Sequence, residues 1–141
     1  MWVQDAAHKA LRDLVRAREA AKKDQLRARH RLGKFLLRHG RRPPTKMTAW
    51  TQRHLTWINQ AVHCEQPAQE ATLLDYLHAV DHMAARLAWL EGAIDEAAKT
   101  APPPMRAVIA ALQALRGIAR VSAVRIVAEV GKLSRFERAP Q

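Results

Sequence analysis

The stretch LLDYLHAVDHMAARLAWLEGAI, residues 73–94, carries the most regular apolar pattern in the chain. Its apolar residues follow one another at alternating spacings of three and four: Leu73, Tyr76, Val80, Met83, Leu87, Leu90 and Ile94. This repeat puts them on one face of an α-helix and is typical of a coiled-coil seam. Because Pro67 precedes the stretch and the prolines of residues 100–104 follow it, we predict a long helix between these two boundaries.

A second heptad pattern precedes it, from about Asp5 to His39. One seam consists of Ala7, Leu14, Ala21, Ala28 and Phe35, and the other of Leu11, Arg18, Gln25 and Leu32. We expect this helix to end at Gly40, before Arg41-Arg42-Pro43-Pro44. Antiparallel packing of the two long helices would bury both seams, with the partner helix in the same chain or in a second copy.

The segment MTAWTQRHLTWINQAV, residues 47–62, predicts a short helix between the two long ones. Thr48 is its expected N-cap. Trp50 and Trp57 stand one heptad apart, which favours a place in the core over stacking on nucleic-acid bases.

The net charge of +11 is distributed in blocks. Residues 1–46 hold 14 Lys/Arg and four acids, whereas residues 65–96 hold seven acids and a single arginine, Arg86. Such blocks suggest pairing between the two long helices together with a polyanionic partner. A basic run can also be merely a solvated face. The candidate phosphate contacts in the first block are Lys22, Lys23, Arg27, Arg31, Lys34, Arg38, Arg41 and Arg42.

The C-terminal segment contains LRGIARVSAVRIVAEVG, residues 115–131, a helical pattern interrupted at Gly117. The spacing fits a helix-hairpin-helix in which the first helix ends at Leu115 and the Ile118 side chain fills the core beneath the turn. Small Ala123 would allow the two helices to approach each other closely. A second helix starting near Val121 or Ser122 would offer its N-terminal N–H groups to phosphate. The expected contacts are Arg116, Gly117, Ala119, Arg120, Ser122 and Arg125. Ala119 stands where such hairpins carry a second glycine, and an ordinary αα-corner is the alternative.

Three stretches in this order resemble the DEDD transposases of the insertion sequence 110/116/902 family. They are WVQDAAHKALRDLVRAREAAKKDQLRARHRLGKFLLRHG (2–40), WTQRHLTWI (50–58) and LRGIARVSAVRIVAEVGKLSRFERAPQ (115–141). The most specific parts of the match are residues 10–20, 31–40 and 112–138. The resemblance covers nearly the whole chain.

The resemblance implies a particular place in a longer protein. Members of the family join an RuvC-like domain with four acidic metal ligands to a coiled-coil region and a C-terminal domain that opens with a helix-hairpin-helix. They recombine DNA under the guidance of a structured RNA from the element. The metal ligands lie upstream of residue 2 and the catalytic serine lies downstream of residue 141 in this alignment. No catalytic residue is therefore carried over, and we expect this segment to be inactive alone.

Other residues suggest chemistry less strongly. Asp5, Asp13 and Asp24 could be remnants of a two-metal nuclease, but they lie along one helix among arginines, so we interpret them as ion-pair partners. His78 and His82 have metal-pair spacing but fall outside the seam, so we expect surface histidines. His63-Cys64 lacks a second orienting group for a thiol nucleophile, and a half-buried loop cysteine is expected.

The sequence thus predicts an all-α fold, a long helical coiled-coil hairpin followed by a helix-hairpin-helix. We predict a coiled-coil region at 1–99, a linker at 100–104 and the start of a C-terminal domain at 105–141. The expected partners are DNA, a guide RNA from the element and a second copy through the coiled coil, with no membrane. Cofactors are expected only in the full-length protein, which would need a divalent metal such as Mg²⁺. A single cysteine fits a reducing cytoplasm, in a bacterium and near the nucleoid.

Overall fold

The computed structural model describes residues 6–115 and 119–130, and within these ranges it contains helices and no strand. The predicted all-α fold class is confirmed. None of the described helices is both long and apolar enough to cross a membrane. The five helices in chain order are α1 (Ala6–Arg38), α2 (Gln52–Ala61), α3 (Pro67–Thr100), α4 (Pro103–Ala114) and α5 (Arg120–Val130).

The chain divides into two compact units, and both α1 and α3 contribute to each of them. The central unit is the continuous segment Ala21–Arg86. The terminal unit combines Met1–Ala20 with Leu87–Gln141. Each unit has its own hydrophobic core.

The central unit pairs the second part of α1 with the first part of α3, and α2 completes the core. The rings of Phe35 and Tyr76 meet edge to face with centroids 5.6 Å apart. The Asp24 Oδ2 atom lies 2.8 Å from Arg86 Nη1. Because the earlier residue of α1 pairs with the later residue of α3, the two helices are antiparallel here. The buried residues are Ala28, Leu32, Phe35, Leu36, Ile58, Val62, Leu73, Leu77 and Val80.

The terminal unit packs the first part of α1 against the end of α3, α4 and α5. Arg18 Nη2 lies 3.1 Å from Glu91 Oε1, which ties α1 to α3. Arg12 Nε donates to the Ala128 carbonyl oxygen at 3.3 Å, which ties α1 to α5. The core holds Leu11, Val15, Ile94, Ala98, Ala101, Met105, Ile109, Ala123, Val124, Val127 and Ala128.

The predicted seams mark the buried faces but are narrower than those faces. In α3, Tyr76 and Met83 are partly buried against the central core and the other five seam residues are buried. Val15, Leu36 and Leu77 are also buried although they belong to no predicted seam. A third helix packs on each α1–α3 pair, so more of each helix surface leaves water than a two-helix seam requires. The coiled coil itself stays a prediction.

Helix α1 ends at Arg38, and the predicted Gly40 forms the turn that caps it. The N–H of Arg41 donates to the Leu36 carbonyl at 2.9 Å, and the N–H of Gly40 donates to the Leu37 carbonyl at 3.1 Å. These two bonds form a Schellman motif, which satisfies carbonyls that the helix end would leave unpaired. Gly40 has φ of 62°, a conformation in which a side chain is strained.

The start of α2 differs from the prediction. Thr51, not Thr48, is its N-cap, and the Thr51 hydroxyl accepts from the His54 N–H at 3.4 Å. The same hydroxyl donates to the Thr48 carbonyl oxygen at 2.8 Å, so Thr48 belongs to the turn before the helix. Trp50 therefore precedes α2 and does not share a helical face with Trp57. Both rings nevertheless pack against the central core, as expected.

Most of the predicted proline-rich linker is helical. α3 begins at Pro67 as predicted and continues to Thr100, and α4 begins at Pro103, so only Ala101 and Pro102 lie between them. Proline is compatible with the first turn of a helix because its missing N–H would be unpaired there anyway. Ala101 is buried in the terminal core. The division of the chain into domains at this point stays a prediction.

Two glycines give opposite expectations for the same substitution. Gly40→Ala should lower the free energy of unfolding by about 1 kcal/mol, because the new side chain must adopt a positive φ. Gly92→Ala should raise it by about 0.5–1 kcal/mol, because Gly92 lies inside α3 with open space around it. Urea unfolding of both variants checks this. Equal stabilisation by the two changes would contradict the left-handed conformation of Gly40.

A pair of substitutions on α3 tests its buried face. Ile94 is fully buried, whereas Trp89 is 72% exposed. Ile94→Ala should cost roughly 2–4 kcal/mol, because it removes packed methyl groups and leaves a cavity. Trp89→Ala should change stability by less than about 0.5 kcal/mol. Chemical denaturation measures both, and a larger loss from Trp89→Ala than from Ile94→Ala would mean that α3 is rotated.

Candidate nucleic-acid interface

Five cationic residues of α1 form one row on its surface in the central unit. They follow one another at spacings of four, four, three and four, and each is exposed. At 100° per residue these positions fall within an arc of about 80°, and they extend along about 22 Å of the helix. We call this set the cation row: Lys23, Arg27, Arg31, Lys34 and Arg38.

The core fixes which way the cation row faces. Ala28, Leu32, Phe35 and Leu36 alternate with the row along α1 and are all buried in the central core. A helix cannot rotate without exposing these residues, so the cations are held in solvent. The three other predicted contacts of this region, Lys22, Arg41 and Arg42, are also exposed but lie outside the row.

Little of this positive charge is neutralised by the protein. Arg27 Nη1 lies 3.4 Å from Asp24 Oδ1, and Arg41 Nη2 donates to the His63 carbonyl oxygen at 2.8 Å. In the part of the chain that the structure describes, the other six predicted cations of this region have neither an ion pair nor a side-chain hydrogen bond. The region therefore presents net positive charge to solvent.

The expected charge pairing between α1 and α3 occurs in the terminal unit only. There a cation of basic α1, Arg18, contacts a carboxylate of acidic α3, Glu91, as the charge blocks predict. In the central unit the pair is reversed, because Asp24 of α1 meets Arg86, the one cation among residues 65–96. Asp75 and Asp81 of α3 are exposed and make no ion pair within the described central unit. Opposite charges thus do meet between the helices of this unit, but in the reverse sense, and no member of the cation row pairs with an acid of α3 in the described central unit.

The predicted hairpin residues are partly within the described ranges. Arg116, Gly117 and Ile118 lie outside them, and so does the predicted turn. α4 ends at Ala114 with Leu115 as its C-cap, and α5 begins at Arg120, one residue before the expected start. Ala123 is fully buried, as expected for a position of close approach. The helix-hairpin-helix stays a prediction.

The arginines of α5 contact acids of the terminal unit. Arg120 Nη1 lies 2.7 Å from Asp95 Oδ1, and Arg125 Nη1 lies 3.5 Å from Glu19 Oε1. The pKa of Asp95 is lowered, first by its hydrogen bond with Lys99 and then by Arg120. Ala119 and Ser122 are not buried. These arginines thus differ from the cation row, because each has an acidic neighbour.

A turn of unusual conformation lies beside α1 in the central unit. Trp50 has φ of 66°, and its N–H donates to His54 Nδ1 at 3.1 Å. The Arg29 guanidinium lies over the Trp50 ring, 5.8 Å from the centroid, within the range of a cation–π contact. Gly33 of α1 also lies beside this ring, since a Cβ there would lie 3.7 Å from Trp50 Cζ2. Sequence analysis missed Arg29, Gly33 and His54, because only the tertiary fold brings them to Trp50.

The described residues hold no cluster of three or more metal-ligating side chains. Asp5 lies outside the described ranges, Asp13 is exposed, and Asp24 contacts two arginines. The interpretation of Asp24 as an ion-pair partner is therefore confirmed. His78 and His82 are exposed, as predicted.

Cys64 lies half-buried in the loop between α2 and α3, as expected. Its N–H donates to Glu70 Oε2 at 2.6 Å, and this bond lowers the pKa of the Glu70 carboxyl. His63 Nδ1 lies 3.4 Å from the same carboxyl group. The histidine is thus engaged by Glu70, whose contacts join the loop to the first turn of α3.

Comparison with known proteins finds two similar proteins, both named as transposases. It is 36% identical over 138 residues to "Putative transposase y4qE" of Sinorhizobium fredii, covering 97% of this chain and 31% of that protein. It is 32% identical over 123 residues to the transposase for insertion sequence element IS1533 of Leptospira borgpetersenii, covering 86% of this chain and 34% of that protein. No family model and no solved structure matches.

The chain is thus similar in sequence to transposases, one of them the transposase of an insertion-sequence element. More narrowly, it is homologous to one segment of them, since it spans about a third of the length of the curated relatives it matches. The predicted resemblance to an insertion-sequence transposase is confirmed.

His54 should make the stability of the central unit depend on pH. Burial lowers its pKa, and Nδ1 must be unprotonated to accept from the Trp50 N–H. The unfolded chain therefore binds a proton more readily, so stability present above the ordinary histidine pKa of 6.5 is lost as the pH falls below it. The free energy of unfolding, measured between about pH 8 and pH 5.5, should fall less in His54→Gln than in the wild type. Exposed His82→Gln is the control, and an unchanged slope in His54→Gln would contradict this role.

Proposed function

We propose that this chain is a nucleic-acid-contacting segment of an insertion-sequence transposase. The observation that carries the proposal is the cation row, five exposed cations on one face of a helix with a single weak acidic contact among them. Duplex DNA carries a phosphate charge about every 1.7 Å along its axis, so a rigid row of about 22 Å can meet several phosphates at once.

The cation row itself contacts the backbone and not the bases. Lysine and arginine side chains on one helix face bind phosphate by charge and carry no sequence information when they do so. The two relatives are named as transposases, which supports DNA as the partner of the complete protein. The family resemblance adds the structured guide RNA of the element as a second polyanion for the same surface.

The hairpin region is a second contact in this proposal. The segment from Arg116 to Arg125 would bind phosphate through the N-terminus of α5, with Arg120 and Arg125 exchanging acidic neighbours for phosphate. Surface ion pairs of this kind contribute little, typically under 1 kcal/mol, so a phosphate can compete with them. The coiled-coil region 1–99, the linker 100–104 and the C-terminal segment 105–141 are the corresponding domain division.

In this proposal, other parts of the complete transposase carry out the chemistry of transposition. The described residues offer no convergent acidic cluster for a divalent metal, and no serine motif of the family aligns with them. This segment would contribute nucleic-acid contact and subunit association, beside bacterial DNA, while the metal-dependent steps belong to the complete transposase.

The second candidate is a structural interaction protein with no role in nucleic-acid binding. It would use exposed apolar side chains such as Leu26, Leu37, Leu74 and Trp89, which are between 45% and 72% exposed. Such residues mark protein–protein contacts when they lie together in a patch. Measured affinity for nucleic acid separates the two candidates.

Removing two members of the cation row should weaken binding by a predictable amount. The Arg31→Ala/Arg38→Ala variant should lower the slope of log affinity against log salt by about two units, one per lost phosphate contact. The effect should be the same for duplex DNAs of unrelated sequence, because the contacts are to the backbone. Fluorescence anisotropy titrations at several salt concentrations measure it.

The control variant loses the same number of cations as Arg31→Ala/Arg38→Ala, but loses them from another part of the protein. Lys9→Ala/Arg106→Ala takes two exposed cations from the terminal unit and should leave the slope within about half a unit of wild type. Equal slopes in all three proteins would refute the cation row as the binding surface. Absence of binding at low salt in the wild type would favour the structural candidate.

A further inference from the structure

We propose that the pocket between α1 and the Trp50 turn binds an unpaired nucleobase of a strand whose phosphates lie on the cation row. The proposal rests on the proposed function and specifies its ligand as single-stranded, or locally unpaired, nucleic acid. The pocket has a volume of about 400 Å³ and belongs entirely to the central unit. Volumes of this order are typical of small-molecule sites.

The lining of the pocket combines a mostly apolar wall with cations. Leu36, Leu37 and Ala49 contribute apolar surface, and the Trp50 ring contributes the aromatic one. Arg29, Lys34 and Arg41 supply positive charge, and no acidic residue lines the pocket. An apolar wall favours a flat uncharged ring, and surrounding cations favour a ligand that carries phosphate, so together they match a nucleotide.

One feature of the pocket suggests that a ligand completes it. Trp50 is held at a positive φ, which is rare for a bulky residue and occurs chiefly where surrounding contacts or function require it. A base offers a flat face for stacking near Trp50.

The pocket is continuous with the proposed phosphate track. Lys34 belongs to the cation row and also lines the pocket. A strand that follows the row thus passes the pocket at Lys34, and one nucleotide can turn its base inward while its phosphate stays on the lysine. Bases in a duplex are paired and stacked, so only an unpaired or extruded base can enter.

The test compares two strands with equal numbers of phosphates. One is an oligothymidylate of roughly twelve nucleotides, and the other has the same length and backbone but lacks the bases. Wild type should bind the first about 5- to 100-fold more tightly at fixed salt, as expected for one stacked base. The salt slopes of the two strands should agree, because the number of phosphates is the same.

Two variants test whether the preference for the strand with bases depends on the pocket. Trp50→Leu removes the aromatic wall, and Gly33→Leu fills the pocket while keeping Trp50 and every charge. A Cβ at Gly33 meets Trp50 Cζ2 at 3.7 Å, an ordinary contact, and thermal melts identify which of the two variants fold. Both should abolish the preference for the strand with bases and keep the salt slope. Trp89→Leu, at an exposed tryptophan outside the pocket, should keep the preference.

Three results would overturn the proposal. Equal wild-type affinity for the two strands would mean that no base enters, while the phosphate contacts of the proposed function stand. A preference that survives in folded Gly33→Leu would move base binding elsewhere. No binding of either strand or of duplex DNA would refute the proposed function together with the pocket, and self-association abolished by Gly33→Leu would then make the pocket a protein interface.

Discussion

Burial of one face of α1 is the constraint on which the rest of the central unit depends. Leu32 and Phe35 are almost completely enclosed, and each apolar side chain of this size contributes about 1.5–3 kcal/mol when removed from water. This stabilisation fixes the rotation of the helix about its axis. Once the rotation is fixed, the residues between the buried positions have to face solvent, and most of them are lysine and arginine. The cation row is thus a consequence of the packing.

The two units use their charges differently. In the terminal unit, arginines of α1 and α5 contact Glu91, Glu129 and Asp95, so much of their charge serves internal pairs. In the central unit, which the structure describes completely, the one ion pair between α1 and α3 joins Asp24 to Arg86. It neutralises an acidic residue of α1 and none of the cations of α1. This reversal increases the net positive charge that α1 presents beside the core.

The Trp50 turn connects the charge of α1 with an aromatic surface. Thr51 starts α2 by capping His54, which forces the chain to turn at the preceding residue. The Trp50 ring then lies beside α1 at Gly33, where a Cβ would be 3.7 Å from Trp50 Cζ2. Arg29 faces the same ring from one turn earlier along α1. For a segment related to transposases, cations and an aromatic ring together are suited to a nucleic-acid strand, because the first attract phosphates and the second stacks with bases.

The sequence by itself determined the helical class, the positions of α1 and α3 and most of their buried faces, because heptad spacing depends only on the 3.6-residue turn. It also determined the end of α1, since Gly40 has the freedom that a left-handed residue needs, and the list of cations, including all five of the row. It could not determine which charges remain free, because Asp24 could pair with several arginines until the packing brought Arg86 beside it. Nor could it find the pocket, whose residues lie on α1, a loop and α2. Local patterns extend over a few residues, whereas the approach of Trp50 to Gly33 and of Arg29 to Trp50 depends on contacts distant in sequence, which only the tertiary structure decided.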